Sequence, residues 1–281
     1  MNLEHKVAMV TGGAGGIGRG IARRLAAAGA RVAITDLDGD GAREAASALG
    51  TECLGIEADA ADVTSTSAAI DLIEAELGKL DIVVNNAGVG GPDASARFKE
   101  MASGLSPIES MLESDWDEHL RVNLRTTFAT SKAAISRMSD GGSIVNIASV
   151  AGLQPTVALP AYGAAKAGVV HLTRTLAAQL APRRIRANAI CPGLLWTRAW
   201  EILTARMKET DPSLAALTQR QVFEAVVARM IPLQREQTPE DIGNLVVFLS
   251  SELACNITGQ VIAVDGGIGL HVAAIEAAAG A

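Results

Sequence analysis

Tyr162 and Lys166 stand four residues apart in the stretch AYGAAKAG (161–168), and Tyr162 is the only tyrosine among 281 residues. Positions four apart share one face of a helix, so the phenol and the ammonium point the same way. A free phenol titrates near ~10 and is a poor base at neutral pH, but an ammonium within reach lowers that value by roughly one to three units. Such a pair can take a proton from an alcohol or return one to a carbonyl. Alone on a helix it would be a surface contact worth roughly a few tenths of a kcal/mol. Its meaning depends on what else the chain carries.

A second constellation, TGGAGGIG (11–18), lies between the strand-like run KVAMV and a helical pattern. Gly12, Gly16 and Gly18, with Ile17 opening the helix, let the backbone turn sharply and let N–H groups approach a pyrophosphate. The next strand-like run ends in RVAITDLDGD, which puts Asp36, followed by Leu37, where a dinucleotide fold carries the acid for the adenosine ribose. A carboxylate there accepts from both ribose hydroxyls and repels a 2′-phosphate, and Asp38 and Asp40 add to the negative field. NAD(H) is expected over NADP(H).

These residues need elements to position them. Short β-branched runs alternate with helical patterns along the whole chain: KVAMV then 17–28, RVAIT then 42–49, ECLGI then 65–77, and LDIVV then 114–138. The rhythm continues with GSIVNIA, a helix over 160–179, RIRANAI, helical stretches between 199 and 229, the helix of TPEDIGNLVVFL, and QVIAVD. This is the βαβ pattern of a parallel sheet. The fold class is therefore α/β, a Rossmann-type doubly wound sheet of about seven strands with helices on both faces. One domain is expected over 1–270, including a substrate lid at about 194–232, with a tail at 271–281.

Ser114 with Asp117 predicts a capping box, Thr238 with Pro239 an N-cap and first helical residue, and Gly29 the stop of the first helix. The segment 89–113 fits no simple element and is a candidate for substrate or subunit contacts.

The formal charge of −7 and pI near 5.2 argue against a nucleic-acid surface. Three widely spaced cysteines make neither a disulfide framework nor a zinc site, and the four histidines show no ligand spacing. No metal is expected. The first residues leave no room for a secretory segment and no apolar run reaches bilayer length, so a cytoplasmic protein without membrane contact is expected.

TGGAGGIG, NNAG (85–88), Asn123, Ser149, YxxxK at Tyr162 and Lys166, and PG at 192–193 form an ordered set. Together they resemble the classical short-chain dehydrogenases/reductases, over about 3–267. The resemblance implies an NAD-dependent oxidoreductase that interconverts a secondary alcohol and a carbonyl compound. Tyr162 is then the general acid/base, Ser149 hydrogen-bonds the substrate oxygen, and Asn123 holds through its carbonyl, in a distorted turn, a water serving Lys166. Asp59, with Ala60, matches the acid at the adenine ring; Asp62 competes for that place, though counting back from Asp81 favours Asp59. Asn86, Ala87 and Gly88 would line the cofactor, with Tyr162 and Lys166, and Pro192, Gly193, Leu195 and Thr197 would hold its nicotinamide end.

By the same resemblance, the helices bearing Asn123 and Tyr162 make a homotetramer. Leu194, Trp196 and Trp200 fall in the lid and, with Ser149 and Tyr162, are the expected substrate contacts, pointing to an apolar or ring-bearing small molecule. The rival readings are a cofactor-sensing protein that has lost catalysis, a 3-oxoacyl reductase using NADPH, and a sugar-nucleotide epimerase, whose glycine spacing and larger C-terminal domain are not found here.

Overall fold

The computed structural model describes residues 1–50, 52–88 and 107–270. The tail at 271–281 and most of the 89–113 segment lie outside the described residues. Seven strands form one parallel sheet: β1 (Val7–Thr11), β2 (Arg31–Asp36), β3 (Cys53–Glu57), β4 (Leu80–Asn85), β5 (Met138–Ile147), β6 (Arg186–Pro192) and β7 (Val261–Val264). Their order is β3-β2-β1-β4-β5-β6-β7. The winding reverses between β1 and β4, and in such sheets ligands sit outside the carboxyl ends of the strands at that point.

The helices are α1 (Gly16–Ala27), α2 (Gly39–Ser47), α3 (Val63–Glu76), α4 (Glu113–Leu120), α5 (Thr126–Ala134), α6 (Pro160–Leu180), α7 (Arg198–Thr210), α8 (Gln219–Met230) and α9 (Pro239–Ser250). They cover both faces of the sheet, which is why the strands read as apolar runs without alternation. Ala8, Val10, Ile82 and Val84 pack with Ile21 and Leu25 of α1 and Ile242 and Val246 of α9. Met9, Val83 and Ile144 point to the other face, among Ile70 and Ile73 of α3, Ala134 of α5 and Leu176 of α6.

Helix ends follow local chemistry in most places. Thr238 caps α9 in a reciprocal box with Asp241, and Gly29, at φ 94°, follows the end of α1. The box expected at Ser114 does not form: α4 begins at Glu113 behind Leu112, with no side-chain cap, so Ser114 is already inside the helix. The helix expected to run to Met138 is broken by a π-turn at Arg121–Arg125 and ends at Ala134. Met138 instead opens β5, paired with Leu80 across an irregularity before Ile82. Its first residues, MSDGG, carry no β-forming signal, and pairing with β4 overrides local preference.

Candidate active site

The glycine loop leaves β1 at Thr11 and enters α1 at Gly16, with Gly12 at φ 64° and Gly16 at φ 51°. Gly15 caps α1 without a side chain and no acid lies in the first turn, so the leading amides face outward as an anion site. A Cβ on Gly18 would lie 2.2 Å from the Gly12 carbonyl oxygen. The NNAG turn is stitched to this loop: the Asn86 amide donates to the carbonyls of Thr11 (3.0 Å) and Gly12 (2.9 Å). In return, Thr11 Oγ1 accepts from the backbone N–H of Asn86 (3.1 Å) and Ala87 (3.0 Å).

Asp36 ends β2 beside this loop. One carboxylate oxygen accepts from Ala14 N–H (3.0 Å) and the other from Asp38 N–H (3.1 Å). Each oxygen keeps a further lone pair for a hydroxyl donor. Leu37 beside it is exposed. At the next strand end Asp59 accepts from Ala61 N–H (2.8 Å) and lies 3.6 Å from Arg121. Asp62 is engaged elsewhere, capping α3 through Thr64 and Ser65 N–H. The backbone here is tied to the following helices: Thr130 donates to the Ala60 carbonyl (3.3 Å) and Arg125 to that of Ala61 (3.0 Å).

Across the sheet, Gly193 N–H donates to Val264 O (3.0 Å), and Leu195 bridges Gln237. Thr197 caps α7 without spending its hydroxyl on the helix. Trp196 and Trp200 pack on buried Phe223 of α8, ring centroids 5.2 and 5.0 Å away, and Leu194 joins the same cluster. Arg220 lies over the Trp196 ring at 5.4 Å and pairs with Glu236, whose carboxylate also accepts from Trp196 N–H (3.3 Å). The two tryptophans thus hold the lid together while remaining partly exposed.

Ser149, Tyr162, Lys166 and Asn123 come from three elements. Pro160 starts α6, so Tyr162 and Lys166 occupy its first two turns. The Lys166 ammonium is 5.7 Å from the tyrosine ring centroid and donates to Ile147 O at 3.1 Å. Burial lowers its pKa to about 8. The same burial raises the phenol of Tyr162, opposed by a hydrogen bond with Ser149 that pulls it down. Ser149 Oγ accepts from Ala151 N–H (3.1 Å), which leaves its own hydrogen to donate. Asn123 is fully buried in the π-turn, where the wider ring displaces a backbone carbonyl from the α-helical ladder. Gly88 passes beside both: a Cβ there would lie 2.8 Å from Asn123 Oδ1 and 3.3 Å from Lys166 Nζ.

Sequence reasoning gave no role to Thr11, Asn146, Arg220 or Glu236. Asn146 did carry a signal, a polar residue inside the buried run GSIVNIA.

Over residues 12–269 the chain matches the family described as enoyl-(acyl carrier protein) reductase. It is 36% identical over 274 residues to a 3-oxoacyl-(acyl-carrier-protein) reductase of Aquifex aeolicus, covering 95% of this chain and 99% of that one. It is 38% identical over 277 residues to a D-threitol dehydrogenase of Mycolicibacterium smegmatis, covering 94% and 93%. A galactitol 2-dehydrogenase of Agrobacterium fabrum is 33% identical over 270 residues, covering 95% and 98%. The chain belongs to the short-chain dehydrogenase/reductase family, oxidoreductases that act on alcohols and ketones with nicotinamide cofactors. Among the described residues no helix is long and apolar enough to cross a membrane, and no group of three or more His, Cys, Asp or Glu could hold a metal ion.

Proposed function

We propose that the protein is an NAD-dependent dehydrogenase/reductase interconverting a secondary alcohol and its carbonyl compound, with Tyr162 as general acid/base. The convergence of Tyr162, Lys166 and Ser149 carries this reading. The uncapped start of α1 would take the pyrophosphate, Asp36 the ribose hydroxyls, Asp59 and Ala60 the adenine side, and Gly193, Leu195 and Thr197 the nicotinamide end. The open loop at Gly15 and Gly16, where an added Cβ would meet nothing, fits a dinucleotide. When bound, that group supplies or accepts the hydride.

Ser149 donates to the substrate oxygen and steadies the charge that develops there. Tyr162 moves the proton at that oxygen, and the Lys166 ammonium favours the phenolate form. In the free chain burial holds the phenol protonated, the state that donates to a carbonyl. Asp36, with Asp38 close behind it, disfavours a 2′-phosphate, which supports NAD(H) over NADP(H).

An uncharged substrate suits the mouth of the site. The segment from 150 to 161 carries no charged residue, and Leu153 and Val157 within it are exposed. Trp196, Trp200 and Leu194 border it from the lid. A homotetramer is supported by the groove between α4, α5 and α6, lined by Leu120, Leu124, Phe128 and Leu172, where Phe128 is 47% exposed.

The test is a panel of apolar secondary alcohols, hydroxysteroids, polyols and 3-oxoacyl esters, followed at the NADH absorbance with each nicotinamide cofactor. Turnover with NAD that Tyr162→Phe abolishes while NADH binding persists is the expected result. NADH binding with no turnover across the panel would return the protein to a cofactor-sensing role.

A further inference from the structure

Beneath the Ser149, Tyr162 and Lys166 cluster runs a chain of buried side-chain hydrogen bonds. Asn85, at the end of β4, donates to Asn146 Oδ1 on β5 (2.7 Å) and to Ser131 Oγ on α5 (3.0 Å). Asn146 donates to Thr173 Oγ1 on α6 (2.8 Å), and Thr173 donates onward to Val169 O (2.8 Å). None of these four side chains is more than 3% exposed.

The two ends of the Asn146–Thr173 bond belong to the elements that carry the cluster. Asn146 stands three residues before Ser149, and Thr173 stands seven residues, two helical turns, after Lys166 on the same face. The rest of the contact between α6 and the sheet is aliphatic, through Val169, Val170, Leu176 and Ala177. Apolar packing is non-directional and does not by itself fix how far a helix slides along a strand. A buried hydrogen bond does, because displacing it leaves a donor without a partner.

We infer that Asn146 and Thr173 are positioning residues: their bond sets α6 against β5 and so fixes the approach of Tyr162 to Ser149. The inference rests on the proposed roles of those two residues, but its test does not need a substrate.

Because the chain has one tyrosine, labelling tyrosine with carbon-13 at Cζ gives a single resonance that reports the phenol of Tyr162 directly. Thr173→Val keeps the shape and removes the hydroxyl; Thr173→Ser restores it. In the full-length protein, Thr173→Val should shift this resonance and raise its titration midpoint by roughly half to one pH unit, as the bond with Ser149 is lost. Thr173→Ser should return both to wild type. Ser131→Ala, which cuts the other branch of the network, should leave them in place.

With a substrate in hand, Thr173→Val should lower kcat about tenfold at unchanged NADH Kd, the equivalent of about 1.4 kcal/mol. Should the valine variant fold poorly, Asn146→Ala removes the donor without orphaning it and should give the same shift. A lower melting temperature with the wild-type resonance and midpoint in both variants would overturn the inference. Absence of turnover in the wild type would count against the proposed function alone, since the resonance still reads the positioning.

Discussion

The ammonium of Lys166 is held 3.1 Å from the carbonyl oxygen of Ile147, the last residue of β5, in a buried position. Its pKa falls from 10.5 to about 8 because burial penalises the charge. Below about 8 the lysine is protonated in both folded and unfolded chains, so folding carries the full penalty, about 3 kcal/mol on the linkage relation. Between about 8 and 10.5 the folded chain loses the proton first, and stability rises with pH as the penalty disappears. Lys166→Met should therefore abolish turnover and yet raise the melting temperature at pH 7, with the gain gone near pH 10.5. Thermal melts across that range check it; a destabilised variant at pH 7 would contradict the sign.

Asp36 touches both the glycine loop and its own turn, through Ala14 and Asp38. Asp36→Ala should raise KM for NAD at least about tenfold and lower KM for NADP, since one charge–hydroxyl pair is lost and a repulsion removed. Steady-state kinetics with both cofactors decide it. Equal losses with the two would show that Asp36 serves only the loop.

Two glycine substitutions should separate binding from chemistry. Gly18→Ala drives a methyl into the Gly12 carbonyl at 2.2 Å and should weaken ADP-ribose as well as NADH. Gly88→Ala pushes on Asn123 Oδ1 at 2.8 Å and Lys166 Nζ at 3.3 Å, and should cost kcat about tenfold or more while ADP-ribose still binds. Calorimetric titration with ADP-ribose alongside kcat distinguishes them, and the same profile for both variants would refute the division.

Arg220 is stacked on Trp196 and paired with Glu236, but its side chain is 43% exposed. Arg220→Ala should therefore cost little global stability, about 1 kcal/mol or less. It should red-shift tryptophan fluorescence and raise substrate KM several-fold as the lid loosens. An unchanged spectrum and KM would show that Phe223 alone holds the tryptophans.

The sheet was readable because strands buried on both faces are short apolar runs, and GSIVNIA and LDIVV have no competing helical period. The glycine loop was readable because its backbone geometry restricts residue choice at Gly12 and Gly16. Met138 as a strand residue was not, since only pairing with Leu80 makes it one. Asn123 was marked as awkward in a helix, but the shape of the turn around it is set by contacts to residues 60 and 61, far away in sequence. The Arg220–Glu236–Trp196 contact joins three segments whose spacing has no periodicity. The Asn146–Thr173 bond left only one trace, a polar residue in a buried strand.

The π-turn at Arg121–Arg125 also limits how this chain can change length. Deleting one residue there would rewind the turn to an ordinary helix and rotate everything on α5 by about 100° relative to α4. Arg125 and Thr130 would swing away from the carbonyls of Ala61 and Ala60, and Asn123 would leave the side of Lys166. Point substitutions can accumulate in this stretch over generations, but a single-residue insertion or deletion breaks the adenine side and the catalytic side at one stroke.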